Sequence, residues 1–298
     1  GLGAEASGYG RAGASDAGYA RAAREALTEA AFGMFCIPGI ASLDDVAMAA
    51  DNGMGFIRVG TDVTDIPASE PFVKEAERRG MLVMTNIMKS YTLPPERFAE
   101  EVKRSEGFGS RVAYLVDSAG CMSPEDVVQY YQAIRAVSDI PIGFHGHDNL
   151  GMAAYNTLRL VDEGAEFVDS SLQGLGRGAG NVVTEALVAA LHKRGYSTGI
   201  DFLRTLRAGY KLVYPLRVKG GIMPLDVVAG YAGFHSSFIP KALRVARRHQ
   251  IDPARLIIEV CRVDRVHFEE ELVEQIAGAM NGDSGSESYL GEYGDVEL

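Results

Sequence analysis

The sequence predicts a parallel α/β fold followed by a helical C-terminal region, on three observations. Six short apolar runs recur, beginning at Phe32, Phe56, Leu82, Val112, Ile142 and Phe167, at intervals of 24, 26, 30, 30 and 25 residues. Each interval accommodates one strand and one crossover helix. Polar residues gather directly after the runs, where parallel α/β folds bind ligands. Beyond residue 195 the runs stop, and amphipathic stretches succeed one another without strands between them.

The elements follow in order. Residues 1–31 read as a glycine-rich loop (Gly1, Gly3, Gly8, Gly10, Gly13) and one helix from about Ser15. No strand is expected there, so a closed eight-stranded barrel would lack its first two strands; an open six-stranded sheet is the alternative. Ser42 opens a helix with Asp45 as its acidic capping partner, and Asn52-Gly53 stops it. Pro94-Pro95 opens another, proline being tolerated in a first turn. Ser123 and Asp126 cap a third, whose Val127, Tyr130, Tyr131 and Ile134 share one face. Residues 201–214, 239–250, 253–261 and 268–280 read as helices. The Ser/Gly/acidic stretch from about Asp283 reads as a disordered tail. The expected organisation is a loop and helix over 1–31, βα units over 32–195, a helical domain over 196–282 and the tail over 283–298.

Composition narrows the function. Apolar residues form 47% of 298, enough for a sizeable core. A net charge of −11 argues against binding nucleic acid or an anionic membrane surface. Three cysteines, Cys36, Cys121 and Cys261, include no CxxC pair. A disulfide framework or four-cysteine zinc site is therefore not expected, and a reducing, cytoplasmic setting is. No apolar run reaches membrane-spanning length. The start lacks a signal segment and an initiator Met, from which we expect an upstream segment to be missing.

After the Ile142 run comes His145-Gly-His147. On an extended strand, positions i and i+2 face the same side, so two imidazoles can bind one divalent ion; two hydrogen-bonding histidines are the plainer alternative. Gly174-Leu-Gly-Arg-Gly-Ala-Gly-Asn181 formally satisfies a dinucleotide pattern but opens no βαβ unit. It reads equally as a phosphate loop, as a turn bringing Asn181 toward a metal, or as a helix cap. Lys89 could form a Schiff base or bind a carboxylate. His235, near Tyr231, is an acid/base candidate. Asp117 and Ser118 end the Val112 run, and Cys121 reads as a small buried residue.

The segments Gly143-Phe-His-Gly-His-Asp-Asn-Leu-Gly151 and Val168-Asp-Ser-Ser-Leu-Gln-Gly-Leu-Gly-Arg-Gly-Ala-Gly-Asn181 resemble the metal-dependent lyase superfamily that includes hydroxymethylglutaryl-CoA lyase and isopropylmalate synthase. Pro38-Gly-Ile, Val116-Asp-Ser-Ala-Gly-Cys-Met122 and the Gly-Tyr-Ala-Gly stretch around Tyr231 are similar to its 4-hydroxy-2-oxovalerate aldolase branch. The resemblance runs from about Gly1 to about Met280. It implies an incomplete (β/α)8 TIM barrel with six βα units visible, a C-terminal helical domain and a divalent cation, Mn2+ or Mg2+. It also implies cleavage of a 4-hydroxy-2-oxo acid to pyruvate and an aldehyde. His145, His147 and Asn181 match metal-site positions, and Ser118, with Asp117 and Lys89 beside the same rim, the substrate side. Tyr231 and His235 fall in the stretch assigned to acid/base work. An acylating aldehyde dehydrogenase is the implied partner.

Two departures stand out. The family's Thr-Leu-Arg-Asp-Gly stretch, source of a ligand aspartate and an enolate-facing arginine, does not occur in the 298 residues. His235 stands where the branch usually has tyrosine. We therefore expect weak or absent activity, and two unpaired sheet edges that favour a homo-oligomer. The alternatives are a Claisen-type acyltransferase or CoA lyase of the same superfamily, a Schiff-base aldolase using Lys89, and a non-catalytic interaction module.

Overall fold

The structure, a computed structural model, describes residues 1–5, 7–8, 12–216 and 223–280. The proposed acidic tail lies outside the described residues. The chain divides into two compact units. One comprises Gly1–Val116, Val128–Phe144 and Glu163–Val168; the other comprises Asp117–Val127, His145–Asp162 and residues from Asp169 onward.

The first unit is built on a parallel sheet of β1 (Gly33–Cys36), β2 (Phe56–Asp62), β3 (Leu82–Met88), β4 (Val112–Asp117), β5 (Ile142–Gly146) and β6 (Phe167–Val168), in sequence order. The tips of β4 and β5 run on into the second unit. Register follows the alternation of side chains: Phe56 lies beside Leu82, and Asn86 beside Tyr114. One sheet face carries Cys36, Ile57, Val59 and Val83. These pack with Ala20 of α1 (Asp16–Ala26), Val46 and Ala49 of α2 (Leu43–Asp51), and Val73 and Ala76 of α3 (Glu70–Arg78). The other face gathers Met84, Val112, Tyr114 and Val116 with Phe56 and Phe167. The Arg58 guanidinium lies 3.9 Å over the Tyr114 ring and donates to Asn86. This arrangement compensates a cation placed within the sheet.

The helix starts follow their caps. Ser42 and Asp45 form a reciprocal capping box, and Gly53 (φ 84°) follows Asn52. Pro95 is the first residue of α4 (Pro95–Phe108). Ser123 and Asp126 exchange bonds of 2.8 and 3.1 Å ahead of α5 (Pro124–Arg135). Among the described residues before β1, Asp16–Ala26 form α1, capped by Ser15; Gly10 of the expected loop lies outside the described residues. The first residues of the chain lie along the sheet edge: Leu2 N donates to Phe35 O at 2.8 Å, and the Leu2 side chain is buried in the core. β6, at the other edge, is only two residues long, and a short edge offers little template for further pairing.

The second unit is helical. It contains α6 (Ala153–Glu163, to Asp162), α7 (Thr184–Lys193) and α8 (Phe202–Ala208), which passes into a π turn over Gly209–Val213. The helix expected over 201–214 is present, with its hydrogen bonding widening to a π pattern at Gly209, whose backbone stays helical (φ −55°, ψ −50°). Then come α9 (Pro224–Ala232), α10 (Ile239–His249), α11 (Pro253–Val263) and α12 (Glu270–Ala279). The sequence reading missed α9, whose Pro224 at the first turn and Asp226 bonding back to Met223 N were its available signals. Leu225 and Ala229 of α9 pack with Ala242, Leu243, Ile257 and Cys261. Val245, Leu256, Val260, Val273 and Ala277 form a second cluster. Among the described residues no helix is long and apolar enough to cross a membrane, and all three cysteines are free.

Candidate functional site

The polar residues that end β4, β5 and β6 lie in the second unit, together with the glycine loop and the α9 region. His145 and His147 project from the end of β5 with ring centroids 5.2 Å apart, as the two-residue period of a strand requires. His145 Nδ1 donates to Asp169 Oδ2 at 2.8 Å. That bond fixes the tautomer and leaves Nε2 as the acceptor or ligand nitrogen. His147 is buried, and its Nδ1 has no hydrogen-bond partner. Burial first, and then the charges of His145 and Arg177, lower its pKa to about 3. The ring is therefore neutral at physiological pH, the form in which imidazole ligates metals.

The glycine loop is tied to this strand end. Asp148 N donates to Gly180 O at 3.0 Å, and His147 and Asn181 form an antiparallel bridge. Asn181 N closes the loop on Gly174 O at 3.1 Å, a turn that Gly174 (φ 66°) and Gly180 (φ 95°) permit. Asn181 Nδ2 donates to Leu175 O, while its Oδ1 is buried without a partner. The loop thereby sets the Asn181 backbone beside that of His147. Glu185, buried in the first turn of α7, anchors the loop's start. It accepts from Gln173 N at 3.0 and 3.2 Å and from Gln173 Nε2 at 2.7 Å.

Arg177, at the exposed tip of the loop, places Nη2 3.4 Å from His147 Nε2 and Nη1 3.1 Å from both nitrogens of His235. His235 Nδ1 also meets Ser237 Oγ at 2.6 Å. The helical region braces the histidine loop: Asn149 Nδ2 donates to Asp226 O of α9 at 2.9 Å. A Cβ on Gly230 would come within 2.8 Å of Leu150.

Asp117 is buried beneath the same loops. Its two oxygens accept from Cys121 N and Met122 N, each at 3.0 Å. Burial raises its pKa, and those amides oppose the rise. Its visible work is to hold the Asp117–Met122 turn. Ser118 is buried beside it. The Cys121 thiol is pushed well above its ordinary value, by burial first and Asp117 second, which makes it a poor nucleophile. Tyr231 is not placed with the histidines by any of these bonds. It lines a cleft of about 580 Å³ with Ile258, Cys261, Arg262 and Arg265. In the first unit, Lys89 adopts a left-handed backbone (φ 57°), is buried, and pairs with Asp62 at 3.0 Å.

The fit of a divalent cation rests on two imidazoles and an amide oxygen, with His147 Nδ1 and Asn181 Oδ1 both buried and unpartnered. That set suits a borderline transition metal and supplies part of a coordination shell. Among the described residues no cluster of three or more His, Cys, Asp or Glu side chains is placed to complete one. Sequence reasoning missed Asp169, Arg177 and Glu185. Asp169 follows the Phe167 run and Arg177 sits inside the quoted loop, so position alone could have flagged them; nothing local marks Glu185.

Comparison with known proteins sets this geometry in context. Residues 5–212 match the HMGL-like family model, and residues 222–282 match the DmpG-like communication domain. The 4-hydroxy-2-oxovalerate aldolase of Carboxydothermus hydrogenoformans is 37% identical over 278 residues, 93% of this chain and 83% of that protein. That of Pelotomaculum thermopropionicum is 38% identical over 273 residues, 92% and 80% of the two chains. The crystal structure of HMG-CoA lyase from Brucella melitensis superposes with a TM-score of 0.60 at 22% identity, covering 67% of this chain and 80% of the lyase. The fold is therefore of the (β/α)8 barrel type, with six βα units here and a helical C-terminal region.

Proposed function

The chain belongs to the HMGL-like family and, within it, to the 4-hydroxy-2-oxovalerate aldolases, which are carbon–carbon lyases, and we propose that it cleaves a 4-hydroxy-2-oxo acid to pyruvate and an aldehyde with the aid of a divalent metal. The observation that carries the proposal is the His145–His147 pair, with Asp169 orienting the first, bridged through the His147 backbone to Asn181, and with buried unpartnered atoms on His147 and Asn181.

In this reading His145, His147 and Asn181 hold Mn2+ or Mg2+. A bound cation would supply Lewis-acid polarisation of the 2-oxo group. The protein's own groups do the rest. Removal of the C4 hydroxyl proton drives the C3–C4 electrons toward C2; His235, which shares Arg177 with His147, takes that proton and returns it to C3 to give pyruvate. Ser118 and Asp117 shape the substrate side, Asp117 through the turn it holds. Tyr231, Lys89 and a homo-oligomeric state remain parts of the same proposal. So do a cytoplasmic setting and a division into catalytic βα units over 32–195 and a helical domain over 196–282. The match over residues 222–282 supports an acylating aldehyde dehydrogenase as the partner that takes up the aldehyde.

The test is pyruvate release from 4-hydroxy-2-oxovalerate, followed through lactate dehydrogenase. Slow release that needs Mn2+ or Mg2+ and stops on chelation or in His147→Ala is expected. Release that ignores chelation, or that persists in His147→Ala, would overturn the proposal.

A further inference from the structure

We propose that Arg177 is the substrate-binding residue that receives the carboxylate of the oxo acid, and that it selects anionic over neutral carbonyl compounds. This deepens the aldolase reading and rests on it. The Arg177 guanidinium stands between the two imidazoles that matter most to that reading, 3.4 Å from His147 Nε2 and 3.1 Å from His235. His147 belongs to the group that would face the 2-oxo oxygen, and His235 to the proton-transfer side. A 4-hydroxy-2-oxo acid carries its carboxylate on the carbon next to the 2-oxo group. A substrate whose oxo oxygen faces the histidines therefore brings its carboxylate within reach of a guanidinium already in contact with them.

The chemistry suits the position. Guanidinium presents a planar fork of N–H donors that matches a carboxylate side-on. An imidazole nitrogen is a weaker acceptor for that fork than a carboxylate oxygen, so an incoming acid outcompetes the two imidazoles for it. The protein carries a net charge of −11, and two carboxylates, Asp148 and Asp169, belong to the same loops. An anionic substrate thus enters against a repulsive field unless a local cation offsets it. The backbone supports the task. The loop is pinned at its base by Asn181 N on Gly174 O and by Asp148 N on Gly180 O. Its tip is held by Gly180 N on Arg177 O at 2.9 Å. A Cβ on Gly178 (φ 56°) would lie 3.2 Å from the Ser236 Cβ, so a larger residue there would displace the tip that carries Arg177.

The test is titration calorimetry of the Mn2+-loaded chain with pyruvate and, separately, with methyl pyruvate, which keeps the 2-oxo group and lacks the charge. Wild type, Arg177→Gln and Arg177→Lys are compared. Because Arg177 is exposed, these variants should keep the wild-type circular dichroism and melting temperature. Expected is pyruvate binding weakened at least tenfold in Arg177→Gln, by a smaller factor in Arg177→Lys, and methyl pyruvate binding unchanged in both. Pyruvate affinity retained in Arg177→Gln would overturn the carboxylate role while leaving the aldolase reading intact. Equal losses for pyruvate and methyl pyruvate would also overturn it, since the residue would then act on the histidines and not on the charge. A wild-type chain that binds neither compound would overturn the aldolase reading and this inference with it.

Discussion

Replacing Glu185 by alanine should loosen the glycine loop that carries Arg177 and Asn181. The buried carboxylate accepts Gln173 N with both oxygens and Gln173 Nε2 with one. Gln173 is held in a left-handed conformation (φ 58°), which costs a non-glycine residue about 1 kcal/mol and needs continued support. Hydrogen bonds to a charged acceptor contribute about 1.5–3 kcal/mol each, and two donors lose theirs here. Relief from burying the carboxylate returns part of this, so a net loss of about 3 kcal/mol is expected. At 1.4 kcal/mol per factor of ten, amide exchange over residues 173–181 should accelerate about a hundredfold. Glu185→Gln keeps one acceptor and should lose about half as much. Gly209→Ala attacks the same contact from the other side, because its Cβ would lie 1.7 Å from Glu185 Oε1. The assay is hydrogen exchange by mass spectrometry beside a urea melt. A Glu185→Ala loss below about 0.5 kcal/mol, the range of an ordinary surface change, with unaltered exchange at 173–181 would refute the reasoning.

Asp169→Asn should weaken Mn2+ binding roughly 10–100-fold, the usual cost of losing a partner that orients a ligating histidine; unchanged affinity by calorimetry would contradict the role given to the Asp169–His145 bond. The metal-free protein should lose stability as pH falls from about 6.5 toward 3. The unfolded state takes up a proton on His147 that the folded state, with its pKa lowered to about 3, refuses. His147→Asn should flatten that slope, and identical slopes in the two proteins would contradict it. The polypeptide of these 298 residues should turn over 4-hydroxy-2-oxovalerate below about 0.1 per second, some 10²-fold under the enzyme median of about 10 per second, since it contains no Thr-Leu-Arg-Asp-Gly stretch. A steady-state rate near that median would show that other residues replace it.

Much of the scaffold was legible because its signals are local. Five of the six strands begin where the apolar runs do, and β1 begins one residue later, because buried parallel strands must be apolar on both faces. The Ser42, Pro95 and Ser123 helix starts were legible because caps act over three residues. The helix α9 was missed because Val, Gly and Ala in Asp226–Ala232 give weak periodicity, and tertiary packing of Leu225 and Ala229 stabilises it. The widening to a π pattern at Gly209 has no local signal, because Glu185, twenty-four residues earlier in the chain, occupies the space that a side chain there would fill. At the site, the His145–His147 pair was legible from the period of a strand. The pairing of Asp169 with His145, across 24 residues, and of Arg177 with His235, across 58, depends on how the chain returns on itself, and no local pattern encodes it.

In the proposed reading the end of β5 and the glycine loop together form a metal site. Electron paramagnetic resonance of Mn2+ titrated into the purified chain tests it most directly, with wild type beside the His145→Ala/His147→Ala double variant. One bound Mn2+ per chain is expected in the wild type and none in the double variant, with circular dichroism unchanged between them. Mn2+ binding that survives the double substitution, or a wild-type chain that leaves all Mn2+ in solution, would contradict it.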